Sequence, residues 1–143
     1  MTNKEIAEQW FDGIWNLKNP QVIYDLMHAD ALAHTEGGSI TGPEQFVQHM
    51  FVPFSTAFPD MHITLDGVLA VEDDVVLRWT ATGVHAGEIA GIAPVGRRIS
   101  FSGMTWLTFR DGKISGGWDR WNLNGLLGLL QQGVPCVTAK FLD

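Results

Sequence analysis

The spacing of apolar positions changes once along the chain, from intervals of three and four residues up to Phe58 to alternation after it. Thr2 and Glu5 make a T-x-x-E capping box, and Ile6, Trp10, Ile14 and Leu17 follow at helical spacing. Asn19-Pro20 supplies an N-cap and a first-turn proline for a short helix through Val22, Ile23, Leu26 and Met27. An extended piece, Ala31 to Thr35, leads to the Gly37-Gly38 break. Thr41-Gly42-Pro43-Glu44 opens a third helix by the same capping pattern, carrying Phe46, Val47, Met50, Phe54 and Phe58. Pro53 lies inside that run and is expected to kink or divide it.

Ile63, Leu65 and Gly67 then alternate with His62, Thr64 and Asp66, the period of a half-buried strand. Glu72-Asp73-Asp74 turns the chain into a strand over Val75 to Gly83, and a loop rich in Gly, Ala and Pro spans Gly87 to Gly96. Arg98 to Phe109 reads as a long strand. Asp111-Gly112 is a strong hairpin signal into Lys113 to Trp121. Leu123 to Leu130, interrupted by Gly125 and Gly128, predicts a short terminal helix or turn. Helices followed by a run of strands indicate one α+β domain over residues 1–143, with a curved antiparallel sheet and a cavity at its open end.

Composition narrows the function. Hydrophobic residues make up 45% of the chain and charged residues 17%, enough for one core at this length of 143 residues. The formal net charge of −7 opposes binding to nucleic acid and to anionic membrane surfaces, both of which rely on Lys and Arg. A single cysteine, Cys136, suits a reducing compartment. With no apolar run behind the N-terminus and none of spanning length, a soluble, cytoplasmic protein is expected. Six Trp and eight Phe can fill a core or line a pocket for a flat apolar ligand.

Several segments, in order and over nearly the whole chain, resemble the SnoaL-like polyketide cyclases of the nuclear transport factor 2-like (cystatin-like) fold superfamily. They are Thr41-Gly42-Pro43, Ala57-Phe58-Pro59-Asp60, Gly83-Val84-His85-Ala86-Gly87-Glu88 and Gly91-Ile92-Ala93-Pro94-Val95-Gly96-Arg97-Arg98. Asp111-Gly112-Lys113-Ile114, Trp118-Asp119 and Leu130-Gln131-Gln132-Gly133 complete the set. The resemblance implies a cone of sheet over about three N-terminal helices, a homodimer, a small hydrophobic ligand, and no metal or organic cofactor. Family cyclases close a ring by intramolecular aldol condensation. Their pocket aspartate lies seven residues after the hairpin glycine, which is Asp119 here. A Gln and a His stand on the preceding strand in aldol cyclases of the family, and the same count places Gly103 and Thr105 there. That departure widens the expected chemistry from aldol closure to acid/base work on a hydrophobic carbonyl compound by a cyclase, isomerase or related lyase. A non-catalytic ligand-binding or dimerisation module of the same fold is the alternative.

Asp119 sits between Trp118 and Trp121, an apolar setting that raises a carboxyl pKa. Its competing reading is a salt bridge to Arg120 or an exposed turn. A two-residue turn at Asp111-Gly112 would pair Asp119 with Met104 and place Trp106 nearby, whereas a bulged turn would bring Thr105 to its face, and the sequence leaves both open. His34 and His85 join Thr105, Trp106 and Trp121 as candidate substrate contacts. For His85 the competing role is structural, bonding the adjacent loop. His28, His49 and His62 have no distinguishing context. No two histidines have zinc-site spacing, Cys136 has no partner pattern, and no phosphate loop follows the C-terminal glycines. Of Arg97 and Arg98, one is expected to be solvated and the other tied to a carboxylate.

Overall fold

A computed structural model describes residues 1–132 and 137–139; Gly133 and Cys136 lie outside the described residues. Helix α1 (Asn3–Phe11) starts at the expected capping box, with the Thr2 hydroxyl accepting from the Glu5 N–H and Glu5 reaching back to the Thr2 N–H. The chain then widens into a π turn, Asp12–Asn16, closed by Leu17 N–H donating to Asp12 C=O at 2.9 Å. A π turn holds more residues than an α turn. The inward face therefore takes Ile14 and Trp15, and Leu17, expected in the apolar row, is 71% exposed. Asn16 fastens this turn to the sheet, accepting from Ile63 N–H at 2.7 Å and donating to Ile63 C=O at 3.0 Å.

Helix α2 (Gln21–Leu26) begins where Asn19 Oδ1 accepts from Gln21 N–H. Strand β1 (Met27–Thr35) starts earlier than expected and takes Met27 from the helix. It turns through Gly37 into β2 (Gly38–Thr41). The expected third helix exists in three pieces: α3 (Gly42–Phe46), a π turn (Val47–Phe51) and α4 (Val52–Ala57), with Pro53 in the first turn of the last piece. Proline donates no N–H, so the backbone divides beside it. The Thr41 side chain makes no cap; instead Thr41 N–H donates to Gln45 Oε1 at 2.8 Å.

Strands β3 (His62–Val71), β4 (Asp74–Val84), β5 (Arg98–Arg110) and β6 (Lys113–Trp121) follow, then α5 (Leu123–Gln132) and the short β7 (Val137–Ala139). The sheet order is β2-β1-β6-β5-β4-β3, with β7 beside β5. Most pairs are antiparallel as expected, but β1 runs parallel to β6 and β7 parallel to β5. This curved sheet over the N-terminal helices is the α+β arrangement expected from the residue pattern and the cone that the family resemblance implied. Burial along β4 and β5 alternates: Val75, Leu77, Trp79 and Ala81, and Ile99, Phe101, Thr105 and Leu107, face the helices. Asp60, at the end of the helical half, accepts from Val84 N–H at 2.9 Å and pairs with Arg98 at 3.5 Å; it is the carboxylate tie expected for one of the two arginines.

The β5–β6 hairpin combines the two registers left open by the sequence. Its turn has two residues, Asp111 (φ 52°) and Gly112 (φ 74°), and Arg110 pairs with Lys113. The register then shifts between Thr108 and Phe109, so Phe109 pairs with Ile114 but Thr108 with Gly116. Ser115 is the extra residue of a bulge within β6. Beyond it Thr105 pairs with Asp119.

Candidate active site

A cavity of about 70 Å³ lies between the sheet and the helices, walled mainly by aromatic and aliphatic side chains, including Trp10, Trp15, Phe46, Phe54, Phe101 and Trp121. Among the described residues Asp119 is the one carboxylate on its wall. On β6 its neighbours Trp118 and Arg120 are exposed, while Trp121, two residues on, is buried; alternation therefore turns Asp119 inward. Arg120 does not neutralise it: the guanidinium donates to the Asp119 main-chain carbonyl at 2.7 Å. The side-chain contact of the carboxylate is Thr105, whose hydroxyl donates to Oδ1 at 2.6 Å. Thr105 is itself buried and accepts from Trp79 Nε1–H at 3.0 Å.

Burial pushes the Asp119 carboxyl up to about 6, because a poorly hydrated site disfavours the ion. The Thr105 hydrogen bond works against that rise, Glu36 adds to it, and Arg120 slightly offsets it. At neutral pH the group is mostly ionised, yet its acid form lies within about one unit of the medium. Such a carboxyl can both take and return a proton.

Gly103 faces the same aromatic cluster. A Cβ there would lie 2.6 Å from Trp121 Cβ, 2.7 Å from the Arg120 carbonyl oxygen and 2.8 Å from Trp79 Cζ2. The space that a residue 103 side chain would use is thus filled by the Trp79 ring, the Trp121 Cβ and the Arg120 main-chain carbonyl. Phe101 stacks on Trp121 at 5.0 Å and meets Trp79 edge-on at 6.1 Å, which fixes the wall below the carboxylate. Trp79 was not singled out from the sequence. Its place in an alternating strand gives burial, but nothing in the strand pattern points its N–H at Thr105.

The remaining candidates divide. Trp121 lines the cavity, as does His34, but the His34 ring stacks on the exposed Trp118 at 5.3 Å and its Nδ1 meets Ser39 Oγ at 3.1 Å. Among the described residues no hydrogen bond joins His34 to Asp119. Trp106 corrects an expectation: as a neighbour of inward Thr105 it points outward, 49% exposed, and donates to Asp74 Oδ1 at 3.1 Å. His85 is likewise not on the cavity wall. It is fully buried against Phe58 and its Nδ1 accepts from Val95 N–H at 3.2 Å, which is the structural role of holding the Gly87–Gly96 loop. Among the described residues no group of three His, Cys, Asp or Glu could hold a metal ion, and no helix is long and apolar enough to cross a membrane. A second, outer cleft of about 510 Å³ shares Met50, Phe54 and Trp121 with the cavity and has Glu36, Gln45 and His49 on its rim.

A curved sheet over N-terminal helices gives the chain the cone-shaped, nuclear transport factor 2-like fold. Within that fold class, the chain belongs to the SnoaL-like polyketide cyclase family, whose pattern it matches over residues 5–132. Among solved structures it is similar to AclR from Streptomyces galilaeus, a candidate hydroxylase, with 29% identity and a TM-score of 0.79 over 90% of this chain and 80% of that one. A candidate SnoaL-like polyketide cyclase from Jannaschia sp. CCS1 shares 22% identity, with a TM-score of 0.80 over 88% of this chain and 89% of the other. IdmH from Streptomyces antibioticus, a candidate polyketide cyclase, shares 24%, with a TM-score of 0.76 over 91% and 97% of the two chains. No curated protein matches the sequence.

Proposed function

We propose that the protein is an acid/base enzyme acting on a hydrophobic carbonyl compound, with Asp119 as the group that moves the proton. The observation that carries this reading is the lone, half-buried carboxylate on an apolar wall, bonded by Thr105 and left unneutralised by Arg120. Ionised Asp119 removes a proton from the carbon next to the carbonyl, and the electron pair of the C–H bond moves onto the carbonyl oxygen as an enolate. The enolate carbon then either attacks a second carbonyl of the same molecule, closing a ring, or is reprotonated at another position. In both cases the proton on Asp119 returns to the product, and no cofactor is consumed. The similar structures are described as a hydroxylase and as cyclases, so the reaction is read here from the site and not from the fold.

At about 70 Å³ the cavity is small beside the roughly 300–1,000 Å³ of a typical ligand pocket. The substrate's reacting end occupies it, and the remainder passes Met50, Phe54 and Trp121 into the outer cleft. A specific observation also favours the ligand-carrier reading: Thr105, the hydroxyl nearest the carboxylate, spends its one hydrogen on Asp119 and so offers none to an enolate at rest. Proton exchange in D2O at the α-carbon of a panel of aryl ketones separates the two readings. The enzyme reading expects exchange by the native protein and background exchange with Asp119→Asn; a carrier binds the ketones and exchanges them with neither.

We further propose a homodimer in the cytoplasm. Leu32, Met104, Trp106 and Trp118 are exposed on the outer side of the adjacent strands β1, β5 and β6, an apolar stripe suited to a second copy. One cysteine and a net charge of −7 fit a reducing interior and oppose binding to nucleic acid or an anionic membrane.

A further inference from the structure

We infer that Trp79 and Thr105 form a one-way hydrogen-bond relay that fixes Asp119 Oδ1 as a permanent acceptor and leaves Oδ2 as the atom that exchanges the proton. The direction follows from donor and acceptor inventories. An indole Nε1–H can only donate. The Thr105 oxygen, 3.0 Å from Trp79 Nε1, must therefore accept there. A threonine hydroxyl has one hydrogen, and the neighbour left to receive it is Asp119 Oδ1, 2.6 Å away. Thr105 is 4% exposed, so water does not compete for either contact. Oδ1 meets a hydrogen that already belongs to Thr105; an added proton goes to Oδ2.

The relay has its own anchorage. The Trp79 ring fills the space above Gly103, where any Cβ would collide with it, and packs edge-on against Phe101. Gly103 and the indole are thus one device: the missing side chain lets the ring lie where its N–H reaches Thr105. Trp79 and Thr105 are positioning residues, because each acts through Asp119. The naming of Oδ2 as the transferring atom rests on the proton-moving function proposed above, but the hydrogen bonds and their effect on titration do not. The other charged or titratable groups facing Asp119 are Glu36 after β1, Arg120 on its own strand, and His34 on the cavity wall. All three are left untouched in the variants below.

The test uses the full chain with 13C-labelled aspartate carboxyls and no ligand, titrated by NMR, with Asp119→Asn identifying the Asp119 signal. A hydrogen bond to a charged group favours the ion, so Thr105→Val should raise the Asp119 midpoint by about one pH unit. Thr105→Ser keeps the hydroxyl and should restore the native midpoint. Trp79→Phe keeps a ring but frees the hydroxyl to rotate, and should shift the midpoint upward by a smaller amount. An unchanged midpoint in Thr105→Val, or a shift in Thr105→Ser as large as in Thr105→Val, overturns the relay; an unchanged midpoint in Trp79→Phe removes Trp79 from it. Because no turnover is measured, these results stand apart from whether Asp119 catalyses a reaction.

Discussion

Asp119 is held in a setting that costs stability at neutral pH. Its folded pKa of about 6 exceeds the ordinary aspartate value of 3.8, so between these values the folded protein binds more protons than the unfolded chain. The associated stability is fully present below pH 3.8 and is lost as pH rises through about 6. Asp119→Asn keeps the shape and the acceptor for Thr105 but has no charge to desolvate. Urea unfolding should therefore show the variant more stable than the native protein by about 2–3 kcal/mol at pH 8, with the difference vanishing near pH 4. A variant less stable at pH 8 would mean that the carboxylate is adequately solvated in the fold. The family resemblance marked this residue by a count from the hairpin glycine; of the two tryptophans read as its apolar setting, Trp121 is buried on its side of the strand and Trp118 is exposed on the other. The side taken by Trp106 was not legible in the sequence, because a tryptophan next to a site looks alike on either face of a strand until the register is known.

That register belongs to the hairpin as an element. Asp111-Gly112 marked the turn correctly, yet turn chemistry sets pairing only locally, and the bulge at Ser115 changes it three residues later. Without it, Asp119 would face Met104, an outward position. The π turns at Asp12–Asn16 and Val47–Phe51 were hidden for a similar reason: a run of apolar residues at three and four spacing does not record one extra residue in a turn. Gly103 gives the element-scale prediction. Gly103→Ala forces a methyl against Trp121, Trp79 and the Arg120 carbonyl, and should destabilise the fold by about 1–3 kcal/mol in denaturant unfolding. A change below a few tenths would show that the Trp79 ring and the β6 backbone can yield.

For the whole molecule, local pattern reached the α+β class and the places of most strands along the chain, but not the parallel pairing of β1 with β6, which joins segments some eighty residues apart. The cavity wall takes Ala33 and His34 from β1 and Gly117 and Asp119 from β6, so that pairing helps to build it and no single segment encodes it. The outward apolar stripe is a feature of the assembled sheet in the same sense. Sedimentation equilibrium should give a dimer for the native chain and a monomer for Trp106→Glu combined with Trp118→Glu, with the far-ultraviolet spectrum unchanged. A native monomer, or an undisturbed dimer in the double variant, would contradict the proposed interface.

Transfer of a proton between a carbon atom and Asp119 is the step proposed for this site. Its most direct measurement is α-proton exchange of aryl ketones in D2O, followed by NMR for the native protein and Asp119→Asn across pH 4.5–8. Exchange should rise with pH through a midpoint near 6, as the carboxylate forms, and fall to background in the asparagine variant. Equal exchange by both proteins would contradict it.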